Sequence, residues 1–349
     1  MGKNLEIQKG QVGIRFPEYV INGEQLEELK QAYESNWNVG VESDRKEAEE
    51  FPEMTLWRQN KGKTIATYEE EQKSGQREIK ESGTKNIQVK VIELWGDVEQ
   101  IYPQRLMAGT VISKEDEAGC MLSDKAAFEL FGAVDVLGKE VLYEGNTYEI
   151  RGILDLEEQV FLREDKQESC SFFEVQEDPG KGVEQLRQIL SPAGISLEDG
   201  AVLEWDMICW ILGMLRILTV GILLCVGIRW INQIMCSDNI LAKWHPKKGT
   251  MCAVQYFLRM AVLLVLFLLL KENWCLSQDY IPAKWSDFEF FGELLREQRE
   301  NYMRYLDLPD IQKDRELFKE MYWSLVWIGG SVVSGWVWIG RRDKYRTNV

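Results

Sequence analysis

Residues 207–228 read MICWILGMLRILTVGILLCVGI, a run of 22 residues that contains a single charge, Arg216. A helix needs about 20 apolar residues to cross the hydrocarbon core of a bilayer, and lipid leaves other open backbone forms without hydrogen-bond partners. The run therefore predicts a transmembrane helix, with a buried helix of a soluble protein as the alternative. It also divides the chain into two parts of different charge.

Two runs further along the chain have the same character. Residues 252–270 are rich in leucine and are interrupted once, by Arg259, and residues 321–340 contain no charge and precede Arg341 and Arg342. Three runs of about 20 residues make a soluble core helix a poor explanation. We therefore predict an all-α membrane part over residues 207–349, with three spans at about 207–228, 252–270 and 321–340.

Arg216 and Arg259 are the charges inside these spans. A charged side chain at the bilayer centre costs about 2.5–3.5 kcal/mol on insertion scales, so it usually faces a protein partner or extends to the interface. Extension to the interface is favoured for Arg259, which lies near one end of its span. For Arg216 both interpretations remain open.

Small residues recur at a spacing of four in the last span, where they form two small-xxx-small pairs. Such pairs let two helices approach closely, either within one chain or between two copies. The residues are Gly330, Ser331, Ser334 and Gly335.

The first part of the chain is strongly acidic. Residues 1–206 carry a formal net charge of −20 and residues 207–349 one of +4, within a total of −16. An acidic surface excludes binding to the nucleic-acid backbone, which needs basic residues. Seven scattered cysteines form no CxxC motif, and His245 is the single histidine. We therefore predict no catalytic, cofactor-binding or metal-binding residues and no enzyme activity.

The basic residues of short loops predict the orientation of the spans. Residues 229–251 contain four basic residues and one acid, and the tail after residue 340 again contains four and one. Both are expected to face the cytoplasm of a multi-pass protein of the cell membrane, which places residues 1–206 and 271–320 outside. Because residues 1–20 contain no apolar run, we expect this topology to need a preceding helix that is missing from this chain. The alternative is an inverted topology, which the basic residues of the two loops disfavour.

The acidic part alternates helix and strand patterns, which predicts a mixed α and β fold. Ser123 is expected to cap a helix over Asp124–Phe131, and Glu144-Gly145-Asn146 to form the turn of a β-hairpin over 139–153. The other predicted elements are a helix from Gly23 to Asn36, strands at Met54–Gln59, Ile87–Trp95 and Phe172-Phe173, and an amphipathic helix with Val183, Leu186, Ile189 and Leu190.

One motif resembles part of a nucleotide-binding site. Gly62-Lys63-Thr64 matches the end of a phosphate-binding loop, but that loop requires a glycine five residues before Gly62, and Trp57 stands there. We interpret the segment as a turn between two strands. The chain itself is not predicted to hydrolyse ATP.

Several segments of the acidic part resemble one protein family. They are Trp57-Arg58-Gln59, Gly96-Asp97, Tyr102-Pro103, Leu106–Gly109, Cys120–Gly132, Val136–Lys139 and Tyr148–Ile153. Their order resembles the MacB-type core domain of FtsX-like ABC transporter permeases, over residues 54–155, and the three closing helices match the layout of that family. The resemblance implies an α+β extracytoplasmic domain over residues 1–206, a further helix before it, and no catalytic residues.

The resemblance also implies partners and a function. The chain would be a permease subunit that couples a separate cytoplasmic ABC-type ATPase to the external domain, for export or mechanotransmission. It would contact membrane lipid and act as a homodimer or paired permease. The alternative is a membrane-anchored extracellular binding or sensor protein without an ATPase.

Two segments between the spans are candidates for contacts with partners. The loop 229–251 is expected to dock on the ATPase through Lys243, His245, Lys247 and Lys248, with a purely topological role of its charges as the alternative. Outside, Ser286–Glu289 is expected to open an amphipathic helix, which lies either along the membrane or against the external domain. Its apolar side carries Phe291, Leu294, Leu295, Tyr302 and Tyr305.

Overall fold

The computed structural model describes residues 10–39, 51–67, 85–114, 116–176, 183–235, 248–272, 280, 282, 284 and 288–346. The chain divides into two compact units. The first, here the sheet unit, comprises Met1–Trp205 and Ser277–Pro309; the second, the helical unit, comprises Asp206–Leu276 and Asp310–Val349. The segment between the second and third apolar runs thus belongs mainly to the sheet unit.

The sheet unit is a mixed α and β structure built on one sheet. Its strands are β1 (Gln11–Arg15), β2 (Glu53–Thr67), β3 (Asn86–Trp95), β4 (Leu106–Gly109), β5 (Gly119–Ser123), β6 (Glu140–Tyr143), β7 (Asn146–Leu154), β8 (Val160–Glu164), β9 (Phe172–Gln176) and β10 (Ala201–Glu204). Among the described residues the strand order is β10-β1-β9-β2-β3-β8-β5-β7-β4, and β6 pairs with β2 and β7. The pairs β3–β8 and β5–β7 are parallel, and the other pairs are antiparallel.

The helices of the sheet unit are short, apart from the first and the last. They are α1 (Gly23–Val39), α2 (Val98–Ile101), α3 (Asp124–Phe131), α4 (Glu184–Leu190) and α7 (Phe288–Leu306). The start of α3 is as the sequence predicts, because the Ser123 hydroxyl accepts a hydrogen bond from the N–H of Ala126 at 3.2 Å. The helix ends at Gly132, whose left-handed φ of 74° and N–H bond to the Phe128 carbonyl are typical of a C-terminal cap.

The hairpin of β6 and β7 also follows its local sequence. Glu144 and Gly145 both have positive φ, 48° and 86°, as the commonest two-residue hairpin turn requires. The segment around Gly62 differs from the prediction. It is not a turn between two strands but a bulge inside the single strand β2, where the pairing with β3 shifts between Asn60 and Lys63. Gly62 takes up the bulge with a φ of +72°.

Two apolar clusters cover one face of the sheet. The first cluster lies under α1 and α4 and includes Val12, Ile14, Leu26, Leu56, Trp95, Phe173, Leu186 and Leu190. The second cluster lies under α3 and the hairpin and includes Val89, Val91, Cys120, Leu122, Leu130, Tyr143, Tyr148 and Phe161. Residues of both clusters occur on the central strand β3, so this strand runs beneath the whole core.

Within the described residues of the helical unit there are three long helices, α5 (Trp205–Met235), α6 (Lys248–Glu272) and α8 (Gln312–Arg346). Among the described residues one segment, Trp205–Arg229 in α5, is identified as long and apolar enough to cross a membrane, with a mean hydropathy of 2.4. Only 12% of this segment is buried, unlike a core helix of a soluble protein. Leu218, Leu223 and many apolar side chains of α6 are likewise exposed.

Candidate functional site

A helix covers the edge of the sheet at the point where the chain enters the first apolar span. Strand β10 pairs with β1 on one side, and its other side faces α7. The Asn301 side chain accepts a hydrogen bond from the Val202 N–H at 2.8 Å and donates one to the Val202 carbonyl at 2.6 Å. A carboxamide carries the same donor and acceptor as a peptide group, so Asn301 takes the place of a neighbouring strand.

Further polar contacts hold α7 beside β10. Arg304 Nη1 donates to the Glu198 carbonyl at 2.6 Å, just before the strand begins. The Tyr280 hydroxyl donates to the Glu204 carboxylate at 2.7 Å, where the strand ends, and Gln298 donates to that hydroxyl at 3.3 Å. Together with the Asn301 bonds, these contacts form what we call the β10 junction.

The two elements that meet at the β10 junction are joined by the chain to the three long helices. Strand β10 ends at Glu204, and α5 begins at the next residue, Trp205, whose side chain is fully buried. Helix α7 lies in the segment between α6 and α8. Strand β10 and the segment that contains α7 therefore carry the chain between the two units.

A cavity of about 230 Å³ lies beside these contacts and is lined by residues of α7, α4 and β10. Its lining mixes apolar side chains with charges of both signs, among them Arg187, Glu297 and Arg304. Apolar packing between α7 and the sheet is interrupted by this space. The polar contacts of the β10 junction consequently define the position of the helix.

A row of charges crosses the same sheet face that carries the two apolar clusters. Glu93 of β3 is 1% exposed and accepts hydrogen bonds from Arg58 Nε at 2.5 Å and from Arg163 Nη2 at 2.6 Å. Arg58 also pairs with Glu168 at 2.7 Å, and Arg163 with Asp165 at 2.6 Å. Burial alone would lower the pKa of Arg163, but the hydrogen bond and charge of Glu93 raise it.

Strand alternation places this row between the clusters. Along β3, Val91 belongs to the second cluster and Trp95 to the first, with Glu93 between them on the same face. Along β2, Leu56 of the first cluster is likewise followed by Arg58. The row therefore separates the helical layer of α1 and α4 from that of α3 and the hairpin.

A second ion pair lies on the opposite face. Arg15 Nη2 and Glu174 Oε1 are 2.5 Å apart, and both side chains are fully buried. The guanidinium carbon lies 5.4 Å from the ring centroid of Trp57 and 5.8 Å from that of Phe172. Arg15 also donates to the Phe173 carbonyl at 3.1 Å. The pair joins β1 to β9 beside the strand that carries the junction.

Glu164 at the end of β8 is a buried carboxyl group of a different kind. It is 5% exposed, and burial raises its pKa to about 7, although the Gly96 N–H and the Lys114 ammonium act in the opposite direction. The folded protein therefore holds a proton at this site between about pH 4.5 and pH 7 that the unfolded chain has released. This group removes stability as the pH rises through that interval.

We expect Glu164→Gln to raise the free energy of unfolding of the sheet unit by about 2 kcal/mol at pH 8 and to have little effect at pH 4.5. The amide cannot ionise, so the cost of a buried charge disappears. The measurement is urea unfolding at the two pH values, followed by reaction of the buried Cys120 thiol in the full chain with dithiodipyridine, which reacts with thiols at acid as well as at neutral pH. Glu140→Gln, at an exposed position, is the matched control and should leave both values unchanged. An equal effect of Glu164→Gln at both pH values would contradict the prediction.

Two cysteines of the sheet unit occupy buried positions, as small apolar residues do. Cys120 and Cys170 are buried, and burial raises the pKa of both thiols, that of Cys170 to about 12. A thiol in this state is a poor nucleophile. Within the described part of the chain, no group of three His, Cys, Asp or Glu residues could hold a metal ion.

The residues that the sequence predicts to dock on an ATPase lie at the edge of what the structure describes. Lys243, His245 and Lys247 are outside the described residues, and Lys248 is the first residue of α6. Of the two charges in the apolar runs, Arg216 lies within α5 and Arg259 within α6, where its side chain is exposed.

The four small residues of α8 divide between two environments. Ser331 and Gly335 are buried, and a Cβ on Gly335 would lie 3.7 Å from the side chain of Val226 in α5. Gly330 and Ser334 are exposed. The pair of Ser331 and Gly335 thus packs within the chain. The pair of Gly330 and Ser334 is exposed, and contact between two copies through it stays a prediction.

The β10 junction and the charge row are sites that sequence reasoning did not single out. Helix α7 packs against β10, which is one of the two positions that the sequence leaves open for this helix. Asn301 carries a signal in retrospect, since asparagine is a poor helix former and stands on the Leu294 side of an amphipathic helix. Glu93 carries another, because it interrupts the apolar run VIELW on a central strand.

Comparisons with known proteins give a likeness of structure alone. No family model matches the chain, and neither does any curated protein sequence. The chain is similar to the periplasmic region of MacB from Actinobacillus actinomycetemcomitans, with 12% identity, a TM-score of 0.39, and coverage of 59% of this chain and 94% of that one. It is also similar to the extracellular domain of the noncanonic ABC-type transporter YknZ from Gram-positive bacteria, with 15% identity, a TM-score of 0.36, and coverage of 56% and 100%.

Proposed function

We propose that the chain is the permease subunit of an ABC transporter complex and couples a separate cytoplasmic ATPase to the external sheet unit. The observation that carries the proposal is the β10 junction. A strand of the sheet continues without a linker into an apolar helix, and the segment between the other two long helices is bound to the same strand through Asn301. The resemblance of residues 54–155 to a permease core domain supports it.

The properties of α5 support a membrane location. At about 1.5 Å per residue, the 25 residues of Trp205–Arg229 extend beyond the bilayer core of about 30 Å. Helices α6 and α8 include the other two predicted spans, and their exposed side chains are largely apolar, as in Phe257, Leu264 and Trp327. Three spans in a multi-pass protein of the cell membrane follow from this proposal.

The proposed mechanism is mechanical. The ATPase binds the basic loop between α5 and α6 through Lys243, His245, Lys247 and Lys248, of which the three lysines supply positive charge, and it hydrolyses ATP in its own chain. Movement of the loop is carried across the bilayer by α5 and α6, since helices of this length are stiff along their axis. The β10 junction passes the movement to the sheet, and the permease needs no catalytic residue for this role.

A second function is favoured by the cavity beside α7. A membrane-anchored binding or sensor protein would use this space of about 230 Å³, with its charges of both signs, for a small ligand and would need no ATPase. Co-purification distinguishes the two functions, because only a permease carries an ATP-binding subunit with it.

We expect an ATP-binding subunit to co-purify with the full chain from native membranes in mild detergent. The triple variant Lys243→Glu, Lys247→Glu, Lys248→Glu should weaken the association by at least about tenfold, since three charge contacts are lost. The matched control reverses the charge of three exposed lysines in the predicted external segments, and it should retain the subunit. These lysines are Lys30, Lys61 and Lys284.

Orientation is checked in the same cells, because loop lysines also determine topology. A cysteine introduced at the exposed position Glu18 should react with an impermeant reagent in wild type and in both triple variants. Undiminished association in the loop variant would show that the lysines serve as topological anchors only. No ATP-binding subunit on the wild-type chain would favour the sensor.

A further inference from the structure

Helix α7 presents three different faces. At 100° per residue, Leu294, Gln298 and Asn301 lie on the side that contacts β10. A second side carries exposed charges, among them Glu293 and Glu300. The third side is an apolar stripe within an arc of about 60°. Its members are Phe291, Leu295, Tyr302 and Leu306, which are 43%, 71%, 51% and 55% exposed.

The middle of α7 lies close in space to Trp205, where the first apolar helix begins. Asn301 contacts Val202 directly, and Val202 is three residues before Trp205, where the apolar helix begins. Three residues of extended chain reach at most about 10 Å. The middle of α7 is therefore held within one short step of the point at which the chain enters the predicted membrane.

The composition of the stripe fits this position. Phenylalanine, leucine and tyrosine are the residues with which interfacial helices enter the boundary between head groups and acyl chains. The charges of α7 lie on its other sides, with acids and arginines in near balance, so attraction to anionic head groups contributes little. The apolar side chains would provide the binding.

We propose that the apolar stripe of α7 inserts into the outer leaflet of the membrane while the adjoining side of the helix, about 80° away around its axis, stays bound to β10. The occupant of the stripe is the lipid surface itself, and not a protein. This inference rests on the proposed function only in taking α5 as a span. It gives the sheet unit a second, non-covalent attachment to the bilayer beside the covalent one at Trp205.

The test measures the surroundings of single spin labels on the full chain in vesicles of phosphatidylethanolamine and phosphatidylglycerol. Labels are placed at Leu295→Cys and Tyr302→Cys, with Glu293→Cys and Glu300→Cys as matched controls, after replacement of the native cysteines. Oxygen partitions into lipid, and a nickel chelate stays in water. Labels at 295 and 302 should collide several-fold more with oxygen, relative to the chelate, than labels at 293 and 300.

Two results would overturn the proposal. Collision of the labels at 295 and 302 with the chelate would place the stripe in water, and protection from both reagents would place it against a protein. If the cysteine-free chain does not fold, a benzophenone amino acid at position 295 of the native chain replaces the label, and its photoproduct must be a phospholipid adduct. Co-purification of the ATP-binding subunit with the labelled chain shows separately whether the proposed function stands.

Discussion

Replacing Glu174 by alanine is expected to lower the free energy of unfolding of the sheet unit by about 3–5 kcal/mol. The change leaves the Arg15 guanidinium fully buried between Trp57 and Phe172 without the carboxylate that lies 2.5 Å from it. A buried charge that loses its partner cannot regain water without opening the sheet. Urea unfolding of the full chain in detergent, followed by alkylation of Cys120, measures the loss.

Two comparisons separate the buried charge from the loss of contacts in general. The double variant Arg15→Met, Glu174→Leu removes both charges and keeps their volume, so most of the stability should return. Glu168→Ala breaks the ion pair with Arg58, but Glu168 is 45% exposed, and we expect a loss of no more than about 1 kcal/mol. Equal losses for Glu174→Ala and Glu168→Ala would contradict this account.

Asn301→Ala is expected to release the middle of α7 from β10 while the ATPase remains bound. The change removes both hydrogen bonds to Val202 and exposes the edge of β10. Two hydrogen bonds of ordinary strength predict that the Val202 amide hydrogen exchanges about tenfold to a hundredfold faster. The difference in exchange between nucleotide-free and ATP-bound complexes should then decrease in the sheet unit, where only the direct connection from Glu204 to Trp205 still carries it.

Glu300→Ala is the matched control, since Glu300 is the neighbouring residue of α7 and its side chain is exposed. It should leave the exchange of Val202 and the response to ATP unchanged. If Asn301→Ala keeps a full response to ATP in the sheet unit, force must enter by another route. The direct connection from Glu204 to Trp205 would be the first to test.

The sequence predicts those elements whose reasons are local. The Ser123 cap and the hairpin turn at Glu144 and Gly145 depend on residues within a few positions of one another, and both are where the pattern places them. At Gly62 the predicted turn is wrong, and the structure has a bulge whose cause is distant in the sequence. The pairing of β2 with β3 continues on both sides of Gly62, and nothing in the motif itself indicates that.

The candidate site depends on distant contacts throughout. Asn301 and Val202 are 99 positions apart, and Arg163 and Glu93 are 70 apart. The periodicity of one helix or strand does not reveal such partners, because the pattern of each element is explained without reference to the other element. The lysine loop is the reverse case: its charge pattern is plain in the sequence, and its role stays a prediction.

The direct connection from β10 to α5 has a consequence for rotation. Glu204 is the last residue of β10 to pair with β1, opposite Val12, and the helix begins one residue later. A helix turns by about 100° at each residue, so one residue added or lost here would point every side chain of the span in a new direction. The residue at which α5 begins is thus tied to the pairing of a strand that lies outside the helix. We therefore expect insertions and deletions of single residues to be tolerated less at this connection than in the loops of the sheet unit.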